Sequence, residues 1–230
     1  MKILVGCESS GTVRRAFAAL GHDVWSVGLE PAQDKTNRHI LGDVRDYLRE
    51  SWDMLAVFHP PCTRLCNSGV RWLSDPPKRL SATTYPAAIV EAYKGWTRQQ
   101  RLDFMWMELD KGADLFSACW NAPIERVVCE NPVMHKYGKA RIANYEPPAQ
   151  IVQPHWFGHK EFKATGLYLR GLKPLKPTNK LKTPKPGTKE HAAWSRVHRA
   201  SPGPNRWRER SKFFSGIADA MALQWVGEAA

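Results

Sequence analysis

Short apolar runs that alternate with amphipathic stretches are the main pattern of the chain. The apolar runs have the length of buried strands, and they occupy residues 2–6, 23–27, 40–41, 54–58, 126–130 and 167–169. Apolar residues at helical spacing lie between several of these runs, most clearly over 95–116, and again over 213–226. Strands that alternate with helices predict an α/β protein built on a doubly wound, mostly parallel sheet.

The segments between these elements are rich in turn-forming residues. Residues 63–94 contain three prolines and predict a long loop with short helical pieces. Residues 173–189 hold six lysines and four prolines, so we expect an extended basic insertion over about 173–205. With 230 residues the chain is predicted to form one domain, 1–230, to whose core the helix at 213–226 returns.

Positive charge is concentrated in one segment of the chain. The net charge is +12, and residues 160–212 hold fifteen lysines and arginines against three glutamates, which equals the whole excess. Trp194 and Trp207 lie among these arginines, and cations with aromatic faces suit the phosphates and bases of nucleic acid. A solubilising surface is the alternative. The cations predicted to contact nucleic acid here are Lys173, Lys176, Lys182, Arg196, Arg199, Arg206 and Arg208.

Cysteine usage indicates a reducing compartment. The five cysteines form an odd set without a paired framework. Cys62 and Cys66 are close in sequence, but no second Cys/His pair stands at zinc-site spacing, so we expect no metal. The apolar run after Met1-Lys2 is too short for a signal peptide, and no run approaches membrane-spanning length. We therefore expect a cytoplasmic protein that does not contact a membrane.

The loop after the first strand, residues 6–11, is suited to a cofactor without phosphates. In doubly wound sheets, ligands bind beyond the carboxyl ends of the strands at the switch point. The loop lacks the G-x-G-x-x-G spacing, and the acidic Glu8 is ill suited to cradling a pyrophosphate. Glu30 lies nineteen residues after Gly11, a spacing that suits a carboxylate on a ribose diol. These features predict S-adenosylmethionine rather than a dinucleotide.

Asp43 follows the third strand and is predicted to accept a hydrogen bond from the adenine amine of the cofactor. For each of these acids, a helix N-cap or a solvated loop is the alternative role. The loop and strand-end residues predicted to contact the cofactor are Gly6, Cys7, Glu8, Ser9, Gly11, Glu30 and Asp43.

Two motifs at strand ends carry the candidate chemistry. His59-Pro60-Pro61-Cys62 follows the strand at 54–58, and Cys129-Glu130-Asn131-Pro132 ends the strand at 126–130. A thiol and a carboxyl are the groups needed to attack carbon 6 of a cytosine and to protonate its N3. A turn with a buried structural thiol is the alternative for the Pro-Cys pair. The two motifs together, behind a nucleotide-binding loop, favour catalysis by Cys62 and Glu130.

In this order, the motifs resemble those of the cytosine-C5 DNA methyltransferases, and more closely the short methyltransferase-like proteins common in phages and prophages. The resemblance spans nearly the whole chain. Pro61-Cys62 is similar to the family's nucleophile motif, Glu130-Asn131 to its Glu-Asn motif, and residues 6–11 to its first glycine-rich loop. Residues 211–222 resemble the closing motif that returns to the cofactor.

The resemblance implies a Rossmann-like, S-adenosylmethionine-dependent methyltransferase fold in a bacterial cytoplasm. It adds Pro60 and Ser211 to the cofactor contacts and gives Asn131 the role of positioning Glu130. Residues 157–165 stand in place of the family's Phe-Gly-x-x-Gln-x-Arg-x-Arg segment, and only Lys163 keeps a cation there, with the role of orienting the carboxyl and the base.

The implied reaction is methyl transfer to C5 of cytosine through a covalent adduct of Cys62. The base must be flipped from a duplex or supplied single-stranded, and Arg64 and Arg71 are predicted to belong to a loop that closes over the backbone. Only about thirty-five residues separate Leu169 from Arg206, too few for the family's target-recognition domain. The resemblance therefore implies a short DNA target or a specificity-conferring protein partner.

Two other functions fit the same residues. In an amino-methyltransferase, His59-Pro60-Pro61-Cys62 would be a variant of Asp-Pro-Pro-Tyr, but this leaves Glu130 unexplained. A non-catalytic nucleic-acid-binding protein on a methyltransferase fold would use the basic insertion as its working surface. Substitution of Cys62 separates these hypotheses, because it abolishes the cytosine-C5 enzyme and leaves a binding protein intact.

Overall fold

The computed structural model describes residues 1–57, 60, 62–199, 211 and 213–227, without the side chains of Thr63, Ser68, His198 and Arg199. The chain divides into two compact units. Unit 1 consists of Met1–Pro60, Ala118–Pro132 and Glu146–Ala230, and unit 2 consists of Pro61–Ser117 and Val133–Tyr145. Segments of unit 2 thus interrupt the chain of unit 1 twice.

Unit 1 contains a seven-stranded, mostly parallel sheet. Its strands are β1 (Lys2–Gly6), β2 (Asp23–Gly28), β3 (His39–Leu41), β4 (Met54–Val57), β5 (Arg126–Asn131), β6 (Gln150–Val152) and β7 (Thr165–Arg170). The strand order is β3-β2-β1-β4-β5-β7-β6. The first five strands are parallel, and β7 runs antiparallel to both of its neighbours. The predicted α/β class with a mostly parallel sheet is confirmed.

Nine α-helices and three 3-10 helices lie in the described residues. The α-helices are α1 (Thr12–Ala18), α2 (Cys62–Leu65), α3 (Asn67–Val70), α4 (Ala87–Lys94), α5 (Arg98–Trp120), α6 (Lys136–Lys139), α7 (Lys189–Ala193), α8 (Arg196–Arg199) and α9 (Ser215–Trp225). The 3-10 helices are Val44–Tyr47, Arg71–Leu73 and Pro154–Trp156. None of the helices in this part of the chain has the length and apolar character needed to span a membrane.

The core of unit 1 covers one face of the sheet with α1 and α9. Phe17 of α1 and Met221 of α9 are fully buried among alternate residues of the strands, such as Val5 and Val128. All four residues of β4 are buried, which fits a central strand covered on both faces. The apolar runs of the sequence therefore coincide with the strands that lie in the middle of the sheet.

Arg170 closes the helix that precedes β5. Its guanidinium donates hydrogen bonds to the backbone carbonyls of Trp120, Ala122 and Ile124, at 2.5 to 3.0 Å. The last carbonyls of a helix lack partners within the helix, so the cation satisfies that of Trp120 and opposes the helix dipole, while its other two bonds hold the turn that follows. The contact fixes the turn between α5 and β5, and so the place where β5 enters the sheet.

The predicted basic insertion is extended, but its described part is attached to unit 1. Leu175 is buried, and its backbone exchanges two hydrogen bonds with the side chain of Gln150. The side chain of Gln224 on α9 does the same with the backbone of Lys176, both bonds measuring 2.8 Å. Farther along, the backbone N–H of Asn179 donates to the carbonyl of Trp156, and the carbonyl of Asn179 accepts from the N–H of Gly158. The lysines are exposed on a backbone that is held in place.

Unit 2 is organised around aromatic side chains and around contacts between its two segments. Tyr93 and Phe104 are buried, and their ring centroids are 5.9 Å apart. The second segment joins α2 directly, because the backbone N–H of His135 donates to the carbonyl of Leu65 at 2.7 Å. A β-bridge pairs Cys66 with Met134 next to this bond.

Candidate active site

The predicted residues of unit 1 follow the carboxyl ends of parallel strands. Because β1 to β5 run in the same direction, the loops that follow them emerge at one edge of the sheet. β1 and β4 are neighbours although they are not consecutive, so the switch point of the sheet lies between them. The residues at this edge are Gly6 at the end of β1, Cys7, Glu8, Ser9 and Gly11 after it, Glu30 after β2, Asp43 after β3, Pro60 after β4, and Glu130 with Asn131 at the end of β5.

Glu8 caps α1 instead of presenting a free carboxylate. The side chain is buried, and its oxygens accept hydrogen bonds from the Ser10 hydroxyl at 2.9 Å and from the backbone N–H of Val13 at 3.0 Å. The N–H of Arg14 lies 3.4 Å from the second oxygen. These are the unsatisfied donors of a helix N-terminus. The structure therefore shows the helix-cap role for Glu8, and its contact with a cofactor amino group stays a prediction.

The rest of the loop is shaped by close backbone packing. A Cβ on Gly6 would lie 2.7 Å from a methyl of Val44, so this glycine allows β1 to end against the 3-10 helix after β3. Cys7 and Gly11 both adopt left-handed backbone conformations, with φ of 57° and 70°. Burial raises the pKa of the Cys7 thiol to about 12, and the nearby Asp43 carboxylate contributes to this rise. Cys7 is thus a neutral group at the turn, unsuited to act as a nucleophile.

The ends of β2 and β3 carry one exposed acid and two exposed leucines. Glu30 is exposed two residues after the last residue of β2. Leu29 is 79% exposed, and Leu41, which pairs with Gly28 at the end of β3, is 64% exposed. Large apolar side chains left in water beside a carboxylate suit a ligand with a ribose diol and a flat base. The sequence pattern does not reveal these leucines, because their apolar runs also fit buried strand ends.

The loop after Glu30 is held by a buried cation. The guanidinium of Arg14 is buried and makes two hydrogen bonds to the carboxylate of Asp34, at 2.7 and 2.8 Å, and one to the hydroxyl of Ser26. Arg15 also pairs with Asp34. Burial opposes ionisation of Asp34, but the two guanidiniums outweigh it and hold the pKa of Asp34 below its ordinary value. The ion pairs of Asp34 with Arg14 and Arg15 therefore restrict the loop that follows Glu30, the residue predicted to contact the ribose.

Asp43 is occupied by its own chain. One carboxylate oxygen accepts the backbone N–H of Arg45 at 2.9 Å and so caps the 3-10 helix at Val44–Tyr47. The guanidinium of Arg45 pairs with both oxygens, and these hydrogen bonds lower the pKa of Asp43 below its ordinary value. The helix-cap alternative is again the one that the structure shows, and a cofactor amine would have to compete with Arg45.

β5 delivers Glu130 and Asn131 to opposite faces of the sheet. Side chains alternate along a strand, and Glu130 pairs with Leu167, which belongs to the core beneath α1 and α9. Glu130 is 2% exposed. Asn131 is fully buried, and neither atom of its amide has a hydrogen-bond partner among the described residues. Among the described residues, the side chain of Asn131 therefore forms no hydrogen bond that would position Glu130.

The remaining cysteines near β5 are inert. Burial raises the pKa of Cys129 and of Cys119 well above the ordinary value of a thiol. Both side chains are buried, so they combine low access with a neutral state. Neither is suited to act as a nucleophile.

The segment at 157–165 binds other parts of unit 1. The buried carboxylate of Glu161 accepts hydrogen bonds from the Arg196 guanidinium at 3.1 Å and from the Val197 backbone at 3.2 Å. Lys163, the retained cation, lies with its ammonium 5.9 Å from the ring centroid of Phe214, just before α9. Ser211, the predicted cofactor contact from the closing motif, is half-buried.

In unit 2, Cys62 is the first residue of α2 and is partly exposed. Phe58, His59 and Pro61, which complete the predicted motif around it, lie outside the described residues. Arg64 is half-buried and donates to the Tyr85 hydroxyl at 3.0 Å, which donates in turn to Glu108. The guanidinium of Arg64 thus belongs to an internal network, and its contact with a nucleic-acid backbone stays a prediction.

The other predicted nucleic-acid contacts differ in availability. Lys173, Lys176 and Lys182 are exposed, as is Arg71, which lies over the ring of Trp72. Arg196 is exposed but is paired with Glu161. The side chain of Arg199, with Arg206, Trp207 and Arg208, lies outside the described residues.

The position of Trp194 contradicts the prediction that its ring stacks on a nucleic-acid base. It is 3% exposed, and its ring packs against those of Phe162 and His155, with centroids 5.4 and 6.2 Å apart. A ring enclosed in this way has no face left for a nucleic-acid base. In a sequence, an aromatic residue among cations is equally compatible with a buried residue that anchors the segment and with an exposed binding surface.

The sequence matches no family model and no curated protein. Within the described residues, no group of three or more His, Cys, Asp or Glu side chains is arranged to hold a metal ion. The assignment of the site therefore depends on its motifs and on the geometry described above.

Proposed function

We propose that the protein is an S-adenosylmethionine-dependent DNA (cytosine-5) methyltransferase with a Rossmann-like fold. The observation that carries the proposal is the common edge of the five parallel strands. Residues chosen from the sequence alone as cofactor and catalytic groups follow the carboxyl ends of β1, β2, β3, β4 and β5. This is the edge at which sheets of this kind bind ligands.

A single nucleoside fits this sheet better than a dinucleotide does. Dinucleotide-binding sheets repeat a mononucleotide unit on both sides of the switch point. Here the second side lacks the repeat, because β7 lies antiparallel between β5 and β6 and the edge strand β6 has only three residues. On the first side, Glu30 with Leu29 and Leu41 offers one acid and two apolar surfaces, which suit the ribose and adenine of S-adenosylmethionine.

The chemistry that the bound cofactor supplies is an electrophilic methyl group on a sulfonium. Cys62, as thiolate, forms a bond to C6 of the cytosine, and the electron pair released into the ring makes C5 nucleophilic. Glu130, in neutral form or sharing a proton, hydrogen-bonds N3 and takes up the charge that develops there. After C5 has accepted the methyl, a base removes the C5 proton and the S–C6 bond breaks, which regenerates Cys62.

The non-catalytic alternative is a nucleic-acid-binding protein that keeps the fold. The exposed lysines at 173–189, on a backbone attached to unit 1, favour it as much as they favour the enzyme. The partial exposure of Cys62 favours the enzyme, because nucleophilic cysteines need access, whereas Cys119 and Cys129 are buried and neutral.

Bisulfite sequencing of DNA from cells that express the protein separates these functions. The cytosine-C5 enzyme leaves protected cytosines in a short or degenerate sequence context, and Cys62→Ser leaves none. Cys66→Ser, a change at the buried cysteine one helical turn away, is the matched control and keeps the protection. Complete conversion with the unchanged protein, in cells where its folded form is detected, would contradict the proposed function.

A further inference from the structure

The surface around α6 joins cations to partly exposed aromatic rings. We define this α6 surface by the side chains of Trp106, Lys136, Tyr137, Lys139 and Arg141. The guanidinium of Arg141 lies 4.7 Å from the ring centroid of Trp106, and the ammonium of Lys136 lies 5.4 Å from that of Tyr137. The two rings meet edge to face at 5.2 Å, so the four groups form one continuous patch of unit 2.

The segment that contains α6 carries charge of one sign. Residues 133–145 contain three cations and no Asp or Glu. Arg141 is paired with Asp110 of α5. In the part of the chain that the structure describes, Lys136 and Lys139 form no ion pair, so their charges are available to an anionic partner.

The α6 surface is attached to the helix that begins at Cys62. Next to the hydrogen bond from His135 to Leu65, Gly138 packs so closely that a Cβ on it would lie 3.1 Å from the Leu65 carbonyl. The bridge between Cys66 and Met134 adds a second connection. The patch therefore has a fixed position relative to α2, inside the same compact unit.

We propose that the α6 surface binds a nucleic-acid strand, with phosphates on Lys136 and Lys139 and an unstacked base against Tyr137. A cationic track with aromatic platforms is the general chemistry of single-strand binding. The buried Trp194 cannot supply such a platform, whereas Tyr137 and Trp106 are partly exposed. That this strand carries the target cytosine rests on the proposed function; the binding itself does not.

Charge reversal tests the phosphate contacts. The variant is Lys136→Glu with Lys139→Glu, and the matched control is Lys78→Glu with Arg79→Glu, at two exposed cations of the same unit outside the α6 surface. Fluorescence anisotropy with a labelled single-stranded oligonucleotide of mixed sequence measures affinity over a range of salt. We expect the α6 variant to bind at least tenfold more weakly, with a salt slope lower by about 0.7 for each phosphate that is no longer neutralised. A reduction in affinity no larger than that of the control overturns the proposal.

Substitution of the ring tests the stacking contact. We expect Tyr137→Leu to weaken oligonucleotide binding roughly tenfold, as removal of one stacked base does, and to leave binding of inorganic polyphosphate unchanged. Tyr137→Phe keeps the ring and should keep the affinity. Thermal melting of each variant checks that the fold is retained. Equal reductions in affinity for both ligands, or a failure of Tyr137→Phe to restore binding, overturn the stacking contact.

The two proposals can fail separately. If the protein binds the oligonucleotide through the α6 surface but forms no adduct at Cys62, the proposed function is contradicted and the inference about the α6 surface is supported. If Lys136→Glu with Lys139→Glu forms the adduct as well as the unchanged protein does, at salt concentrations where binding limits the reaction, the inference is contradicted and the proposed function is supported.

Discussion

The buried carboxylate of Glu161 accepts the exposed guanidinium of Arg196, and this pair attaches α8 to the segment that precedes β7. The backbone N–H of Phe162 also donates to the carbonyl of Trp194. Together with Leu175, these contacts hold the basic insertion at both ends of its described part. The lysines between them are therefore presented in a defined arrangement.

Removal of Glu161 should loosen this attachment. Glu161→Ala takes away two hydrogen bonds from a buried acceptor, and we expect a decrease of about 1–3 kcal/mol in the free energy of unfolding. Glu161→Gln keeps an acceptor for the Val197 backbone and should lose less. Urea denaturation measures both changes, with Glu190→Ala, at an exposed acid of α7, as the control. Equal stability of Glu161→Ala and the control would show that the pair does not anchor the insertion.

The exposed lysines, and not Trp194, should account for nucleic-acid binding by the insertion. Lys182→Glu with Lys185→Glu should weaken binding to duplex DNA and reduce the salt slope by about 0.9 for each phosphate that is no longer neutralised. Lys35→Glu with Arg49→Glu changes the charge equally at exposed positions elsewhere in unit 1. Filter binding or anisotropy compares the two. Deleting 173–189 is a poorer experiment, because it would also remove the buried Leu175. Identical slopes for both variants would leave the insertion as a solubilising surface.

The buried amide of Asn131 should lower the stability of the protein without ligands. Both atoms of its amide are buried without a partner among the described residues, and such a group carries a desolvation penalty of about 1–3 kcal/mol. Asn131→Leu, of similar size, is therefore expected to raise Tm by a few degrees. The same change at the exposed Asn67 should leave Tm unchanged. A clear fall in Tm for Asn131→Leu in differential scanning calorimetry would mean that the amide is satisfied in solution.

Asp34 should make stability depend on pH below about 4. Its folded pKa lies below the ordinary value of about 3.9, so its contribution is present above that pH and is lost as the pH falls through the folded pKa. Between pH 5 and 8, Asp34→Asn should be less stable than the unchanged protein by a constant amount. Below pH 4 the two should converge. Urea denaturation at each pH measures the difference, and Asp75→Asn, at an exposed acid, should parallel the unchanged protein throughout. A difference that does not shrink as the pH falls below 4 would contradict the role of Arg14 and Arg15.

The central strands and the ends that bear polar groups were predictable from the sequence. β1, β4 and the middle of β5 are apolar runs because both faces of each strand are covered, and such runs are visible without a structure. β2 keeps this pattern apart from Ser26. β6 was not predictable: it has three residues, and its bounds are set by its pairing with β7. Pairing between distant segments leaves no local signal.

The roles of individual polar residues were less predictable. Glu8 and Asp43 stand where ligand-binding acids are expected, but each is taken up by backbone donors of the following helix. A short-range cap and a ligand contact need the same residue types, so their pattern does not separate them. The arginines after Trp194 predict a surface position for this residue, and only the fold shows that Phe162 and His155 enclose it.

Covalent trapping by a 5-fluorocytosine oligonucleotide tests the role of Cys62 most directly. Fluorine cannot leave C5 as the proton does, so an enzyme that attacks C6 and transfers the methyl remains attached to the base. With S-adenosylmethionine present, we predict a complex that survives denaturing electrophoresis for the unchanged protein and for Cys66→Ser, and none for Cys62→Ser. A covalent complex that persists in Cys62→Ser, or the absence of one in the unchanged protein with cofactor and oligonucleotide both bound, would contradict the account.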